Sequence, residues 1–229
     1  DMGGSLRNPA SFCGVVGMRP SPGRVATDPG NKVDRLLGVE GPMGRSVEDV
    51  ALLFDAMLGE SPKDPVSLPR PAGENYLHYA RSGWMPEKVA YSDDLGITPV
   101  DPEVAAICRK AAYQLQGAGV IVEEAHPDLK EAHDCFGVLR AMSFATSHSE
   151  KLAKHRDLLK PEVVWNIEKG LALTMQDVVR AEAQRAELIR RTNEFFDTYD
   201  LLLCPATIVA AFPVEQRYLE QCNGHTFAN

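Results

Sequence analysis

Lys88-Val89-Ala90-Tyr91-Ser92, then Asp101-Pro102-Glu103, then Val120-Ile121-Val122 are the three phrases whose reading decides the fold class. The first is an apolar run of strand length. The second places a capping aspartate, a proline at the first helical position and an early acid in order, which starts a helix. Val104, Ile107, Cys108, Ala111 and Leu115 then recur at helical spacing, and Gly117 and Gly119 end the segment. The third phrase is a second strand. A strand, a crossover helix and a strand predict a parallel pair with a right-handed connection, so the class is α/β.

The chain reads outward from this unit in both directions. Residues 131–198 are predicted almost wholly helical, with Pro161 opening one helix and Thr174 with Asp177 capping another that runs to about Thr198. Residues 199–204 read as a buried strand closed by Pro205. On the other side, Ser46 is an N-cap with Asp49 three residues on. Val47, Val50, Ala51, Phe54, Met57 and Leu58 form an apolar stripe that Gly59 stops. Residues 60–86 read as a connecting loop. Residues 1–45 read as loop-rich, with turns at Pro20-Ser21-Pro22-Gly23 and Asp28-Pro29-Gly30 and short strands near Val15-Val16 and Arg24-Val25.

Composition excludes several classes. The 229 residues are 44% hydrophobic and 24% charged, ordinary values for a chain with a buried core. The net charge is −8, from 24 Lys+Arg against 32 Asp+Glu, and no long basic run occurs. Nucleic acid and anionic membranes are therefore poor partners. No apolar run is long enough to span a bilayer. Cys13, Cys108, Cys135, Cys204 and Cys222 are odd in number and widely spaced, without Cys-x-x-Cys, so neither a zinc site nor a disulfide framework is expected. Reduced, buried thiols in a cytoplasmic setting are the plain expectation.

Chemistry concentrates at Met2-Gly3-Gly4-Ser5. Consecutive glycines let successive N–H groups turn toward one point, forming an anion-binding nest. A serine at the rim of a nest has an oxyanion hole beside it, as acyl transfer requires. A serine hydroxyl is a weak nucleophile without a base, however, and the nearest histidine in sequence is His78. By spacing alone an ordinary turn is the simpler account. A nucleophile elbow would need glycine where Arg7 stands, and no phosphate-binding Gly-Lys-Ser/Thr string occurs.

The run Asp1-Met2-Gly3-Gly4-Ser5-Leu6-Arg7-Asn8-Pro9-Ala10, continued by Phe12-Cys13-Gly14-Val15-Val16-Gly17-Met18-Arg19-Pro20-Ser21-Pro22-Gly23-Arg24-Val25, resembles the signature stretch of the amidase signature family. Gly41-Pro42-Met43-Gly44-Arg45-Ser46-Val47-Glu48-Asp49 looks like that family's next recurring phrase. Asp200-Leu201-Leu202-Leu203-Cys204-Pro205-Ala206 resembles its late strand, which usually carries Thr near Cys204. The resemblance implies part of a mixed β-sheet core with flanking helices over residues 1–229. Residues 1–59 would hold the nucleophile loop and the following helix; residues 60–229 would hold the βαβ unit, a helical substrate-side region and the late strand. It also implies a Ser–Ser–Lys triad. Ser5 would attack an amide carbonyl, and a second serine on a cis peptide bond would relay its proton to a neutral lysine. Met2, Gly3 and Gly4, with Ser5 itself, match the oxyanion hole. Asp1 and Arg7 match positions that brace the loop, with a local ion pair as the equal alternative.

The family's lysine and bridging serine lie upstream of the signature stretch. Lys32, Lys63 and Lys88 all lie on the wrong side, so Ser5 is expected here without its base, and the chain is expected to stop before the family's final sheet segment. The function implied is an amide hydrolase working through an acyl-enzyme on a small-molecule amide, with no cofactor and no metal. A homo-oligomer stays open. Two rivals remain: the amidotransferase subunit that works on mischarged tRNA, and a non-catalytic remnant of the fold. The stretch from Asp28-Pro29-Gly30 to Gly41 does not look like that subunit's continuation, which favours the hydrolase.

Other residues read plainly. His126 with His133, and His148 with His155, are seven apart, wrong for a metal pair on one helix turn. Trp84 and Trp165 read as packing aromatics, and residues 180–191 as a solvated helix face. Residues 135–175, with Phe136, Met142, Phe144 and Trp165, are candidates to line an acyl pocket, with a helical core as the competing account.

Overall fold

A computed structural model describes residues 1–27, 37–73 and 75–227. The turn expected at Asp28-Pro29-Gly30, and Lys32, lie outside the described residues. The βαβ reading is what the structure shows. Strand β3 (Lys88–Tyr91) pairs parallel with β4 (Ile121–Glu124), Val89 opposite Val122. On its other side β3 pairs parallel with β5 (Leu201–Leu203), Val89 opposite Leu201. The order β4-β3-β5 puts β3 in the middle, and Val89, Ala90 and Tyr91 are buried. Asp200 fixes the start of the β3–β5 pair: its carboxylate accepts the Glu87 and Lys88 amides at 2.8 and 3.0 Å.

Helix α4 (Pro102–Tyr113) begins as expected, with the Asp101 carboxylate accepting the Glu103 and Val104 amides. Its packed face keeps Cys108 and Leu115 of the predicted one, with Ala112 and Tyr113 in place of Ile107 and Ala111. Cys108, Ala112, Tyr113 and Leu115 pack against Val89, Tyr91, Val120 and Val122. Ile107 is 61% exposed, and Ala111 is exposed too. A 3.6-residue step from Cys108 falls between Ala111 and Ala112, and Ala112 is the one that turns to the sheet. Residues 199–204 are also not a buried strand. Only three of them pair, and Leu201 is 39% exposed, because among the described residues β5 has a neighbour on one side only.

The helical region comprises α5 (Ala132–His155), α6 (Pro161–Leu171) and α7 (Met175–Phe196). Pro161 opens α6, and Thr174 and Asp177 form a reciprocal capping box on α7. Cys135, Val138, Leu139 and Ala181 bind α5 to α7 through a second core. At Gly170 a side chain would meet the Ala141 carbonyl oxygen at 2.0 Å, so glycine permits the close α5–α6 crossing. The charged face of α7 is not all solvated: Arg191, largely buried, reaches across to Asp128 at 3.1 Å and to Glu131 at 2.5 Å.

The N-terminal part holds the largest departure. Residues read as loop form α1 (Arg7–Cys13), ended by Gly14 in the left-handed region. Pro9 is compatible with this helix: as the third helical residue it lacks an N–H that would have had no intrahelical partner anyway. Beyond α1, β1 (Val16–Gly17) pairs antiparallel with β2 (Met43–Gly44), and Val25 makes an isolated bridge to Gly59. Helix α2 (Val47–Met57) starts at Ser46, whose hydroxyl accepts the Asp49 amide at 3.1 Å. It buries Val50, Ala51 and Phe54, whereas Val47 is exposed. The predicted connecting loop contains α3 (Tyr76–Arg81). Buried Asp55 on α2 secures it by accepting the Tyr76 and Leu77 amides at 3.0 and 3.1 Å, while Phe54 meets the Tyr76 ring edge to face at 4.8 Å.

All five cysteines are free: Cys135 and Cys222 are buried and Cys108 partly so, but Cys13 and Cys204 are exposed. Trp84 and Trp165 are likewise exposed rather than packed, Trp165 lying under the Lys169 ammonium at 5.0 Å. No helix among the described residues is long and apolar enough to cross a membrane.

Candidate active site

The serine loop is organised from beneath by a carboxylate. The Asp1 side chain is fully buried. Its oxygens accept the Gly4 amide at 2.9 Å and the Leu6 amide at 3.2 Å. They also take both arms of the Arg7 fork at 3.0 Å each. Arg19 stands 3.9 Å from the same carboxylate, and burial, then the neighbouring Arg7 charge, lower its pKa. The two descriptions expected of Asp1 and Arg7, loop brace and local ion pair, therefore describe one object.

The loop turns at Gly4, where φ is +109°. A side chain there would also lie 2.8–2.9 Å from the end of Asn8. Gly3 is less constrained: an added Cβ would lie 3.4 Å from Phe136, ordinary contact. The Gly4 carbonyl accepts the Asn8 amide at 2.8 Å and so launches α1 directly behind Ser5. One expectation needs correction. The Gly4 N–H donates to Asp1, so it is not free for an oxyanion. Gly4 shapes the nest, and the amides of Met2, Gly3 and Ser5 remain as candidate donors.

Ser5 is exposed at the mouth of a cavity of about 380 Å³ lined by Met2, Gly3, Arg140, Phe144, Ser147 and His148. Four of these stand on α5 at positions i, i+4, i+7 and i+8, one face of the helix. Rings and cation are stacked along it. The Arg140 guanidinium lies over Phe144 at 5.4 Å, and Phe144 meets His148 edge to face at 5.7 Å. Of the expected pocket aromatics, Phe144 lines the cavity and Phe136 backs Gly3. Met142 packs into the helical core, and Trp165 lies exposed. Arg140, Ser147 and His148 were not singled out as pocket residues from sequence, although their spacing with Phe144 was a usable signal. No side chain among the described residues hydrogen-bonds the Ser5 hydroxyl, and none of their His, Cys, Asp and Glu clusters could hold a metal. Behind the loop, α1 leans on the segment after β5: the Ser11 and Thr207 hydroxyls are 3.0 Å apart, and Phe12 meets Phe212 at 5.5 Å.

A glycine-framed serine lining a pocket is the kind of site that acyl-transfer hydrolases use. The family model described as Amidase matches residues 1–226. The chain belongs to this family, the amidase signature enzymes. It is 31% identical over 221 residues to an acylamidase of Rhodococcus erythropolis, covering 94% of this chain and 46% of that protein. It is 30% identical over 205 residues to a glutamyl-tRNA(Gln) amidotransferase subunit from a Sulfurihydrogenibium species, covering 88% of this chain and 42% of that protein. Its fold superposes on a bacterial aryl acylamidase of the amidase signature family with a TM-score of 0.85 at 23% identity, over 100% of this chain and 50% of that one. The chain spans about half the length of the curated relatives it matches.

Proposed function

We propose that the full-length protein containing these residues hydrolyses carboxylic amides through an acyl-enzyme on Ser5. The observation that carries the reading is the loop itself: buried Asp1 clamps Gly4 at φ +109° and so presents Ser5 at the mouth of the cavity. In the first half-reaction the Ser5 oxygen bonds to the amide carbon, and the developing oxyanion is met by the amides of Met2, Gly3 and Ser5. The serine proton leaves through the upstream serine and lysine that the family resemblance implies, and reaches the departing amine as the C–N bond breaks. Water then attacks the ester and releases the acid, so R–CO–NH–R′ plus water gives acid plus amine.

The R. erythropolis acylamidase supports a stand-alone hydrolase. The amidotransferase relative supports a subunit working within a complex. The acylamidase and amidase relatives, 31% and 30% identical over 94% and 92% of this chain, keep the hydrolase first. No metal or organic cofactor enters this chemistry. The five free thiols fit a cytoplasmic setting. The test is Ser5→Ala in the full-length protein, which should lose both amide turnover and labelling by a serine-directed fluorophosphonate. Normal turnover, with labelling retained at this site, would remove Ser5 from the mechanism.

A further inference from the structure

We infer that Arg140 is a specificity-determining residue that selects amides carrying a carboxylate a few bonds from the scissile bond. This rests on the amidase reading above. Arg140 is half-buried on α5 and lines the same cavity as Ser5. Arg7, Arg19, Arg70, Arg109, Arg180 and Arg191 each lie within 4 Å of a carboxylate. Among the described residues Arg140 has no such partner; Arg24 and Arg81 share that lack, but neither lines the Ser5 cavity.

A cation that is partly withdrawn from water and left without an anion is costly unless something repays it. The contact it does make is with the Phe144 ring, at 5.4 Å from the guanidinium carbon to the ring centre. The five N–H donors lie in the guanidinium plane and remain for an acceptor. A carboxylate fits that edge with two parallel hydrogen bonds, and a substrate reaching into the Ser5 cavity can bring one. Phe144 and Met2 in the same lining suit the carbon chain that joins the two functional groups. The cavity lining thus brings together a nucleophile, apolar side chains and a cation.

The carboxylate could sit on the acyl side or the amine side of the substrate, and two matched pairs distinguish them. In the full-length protein, glutaranilic acid is compared with its methyl ester, and 4-acetamidobenzoate with acetanilide. One acid should exceed its neutral counterpart in kcat/KM by about 10- to 100-fold, the yield of a charge-assisted pair. Arg140→Met should collapse that ratio, and Arg140→Lys should recover part of it, which a packing role would not produce. A second readout is independent of turnover. In the Ser5→Ala protein the dissociation constant of the preferred acid, measured by calorimetry, should rise by about 10- to 100-fold when Arg140→Met is added. Equal kcat/KM for acid and neutral amides, or a ratio and dissociation constant unmoved by Arg140→Met in a folded protein, overturns the assignment. Loss of all amide turnover in the parent, with Arg140-dependent binding intact, would instead overturn the amidase reading alone.

Discussion

Gly4→Ala should be among the most damaging single-methyl changes in this protein. Two costs are built into the site. The backbone holds φ at +109°, a region that residues with a Cβ rarely enter, and such strain costs about 1–3 kcal/mol. The added carbon would also stand 2.8–2.9 Å from the Asn8 side chain. That side chain can rotate away, so the clash is the lesser term. If the loop relaxes instead, the Gly4–Asp1 hydrogen bond of 2.9 Å is lost and the Met2, Gly3 and Ser5 amides move together. Misplacing such groups by about 1 Å costs on the order of a hundredfold in rate, and losing one oxyanion donor costs about 10²–10³. The assay is urea unfolding and steady-state turnover of full-length wild type, Gly4→Ala, Asn8→Ala and the double variant. Gly4→Ala should lose about 1–3 kcal/mol and at least a hundredfold in kcat. Asn8→Ala should return only a small part of either. Near-normal turnover and stability in Gly4→Ala would refute the account of the loop. Full rescue by Asn8→Ala would show that the clash, and not the backbone, is what requires glycine.

Further outcomes are expected. Asp1→Asn in the full-length protein keeps the shape but weakens the Arg7 fork and two amide contacts, so unfolding free energy should fall by about 2–4 kcal/mol, with slower fluorophosphonate labelling as the functional readout. Asp55→Ala leaves the Tyr76 and Leu77 amides without their acceptor and should destabilise by about 1–3 kcal/mol, with unchanged labelling of Ser5. The 229-residue chain alone should show no Ser5-dependent amide turnover, because no side chain among its described residues hydrogen-bonds the serine hydroxyl; turnover comparable to a full-length homologue would reveal a base within these residues. Asp200 has a lowered pKa, caused first by the Lys88 amide and then by the Glu87 amide. A depressed carboxyl stabilises above its unfolded pKa and stops doing so as pH falls through the folded one. Asp200→Asn should therefore flatten the acid limb of a stability-against-pH curve below about pH 4 and leave its alkaline limb alone.

What could be read from the amino acids alone was whatever local chemistry announces. Asp101-Pro102-Glu103, Ser46 with Asp49, Pro161, and Thr174 with Asp177 each declare a helix start through their own side chains, and each helix begins there. The signature stretch likewise placed the chain in its family. Helix α1 stayed hidden because Asn8 and Pro9 are turn formers almost everywhere except in a first helical turn. The exposure of Ile107, Val47 and Leu201 depended on which neighbours arrive, and a sequence does not print neighbours. The cavity was invisible for the same reason. Arg140, Phe144, Ser147 and His148 share a face of α5, but that this face meets the serine loop, more than 130 residues away, is a property of the tertiary fold.

The placement of β3 between β4 and β5 has a kinetic side. Val89 meets Val122 across a loop of about 33 residues and Leu201 across one of about 112, so closing the second pair costs about 1 kcal/mol more chain entropy. During synthesis the wait is longer still, because the whole α5–α7 segment must leave the ribosome before β5 exists. Until then the inner edge of β3, with its buried-type Val89 and Tyr91, lies open to any other strand. The sheet is therefore most vulnerable to mispairing while its last third is still being translated. Pulse-labelling hydrogen exchange on the refolding protein should find the β3–β4 amides protected before those that join β3 to β5.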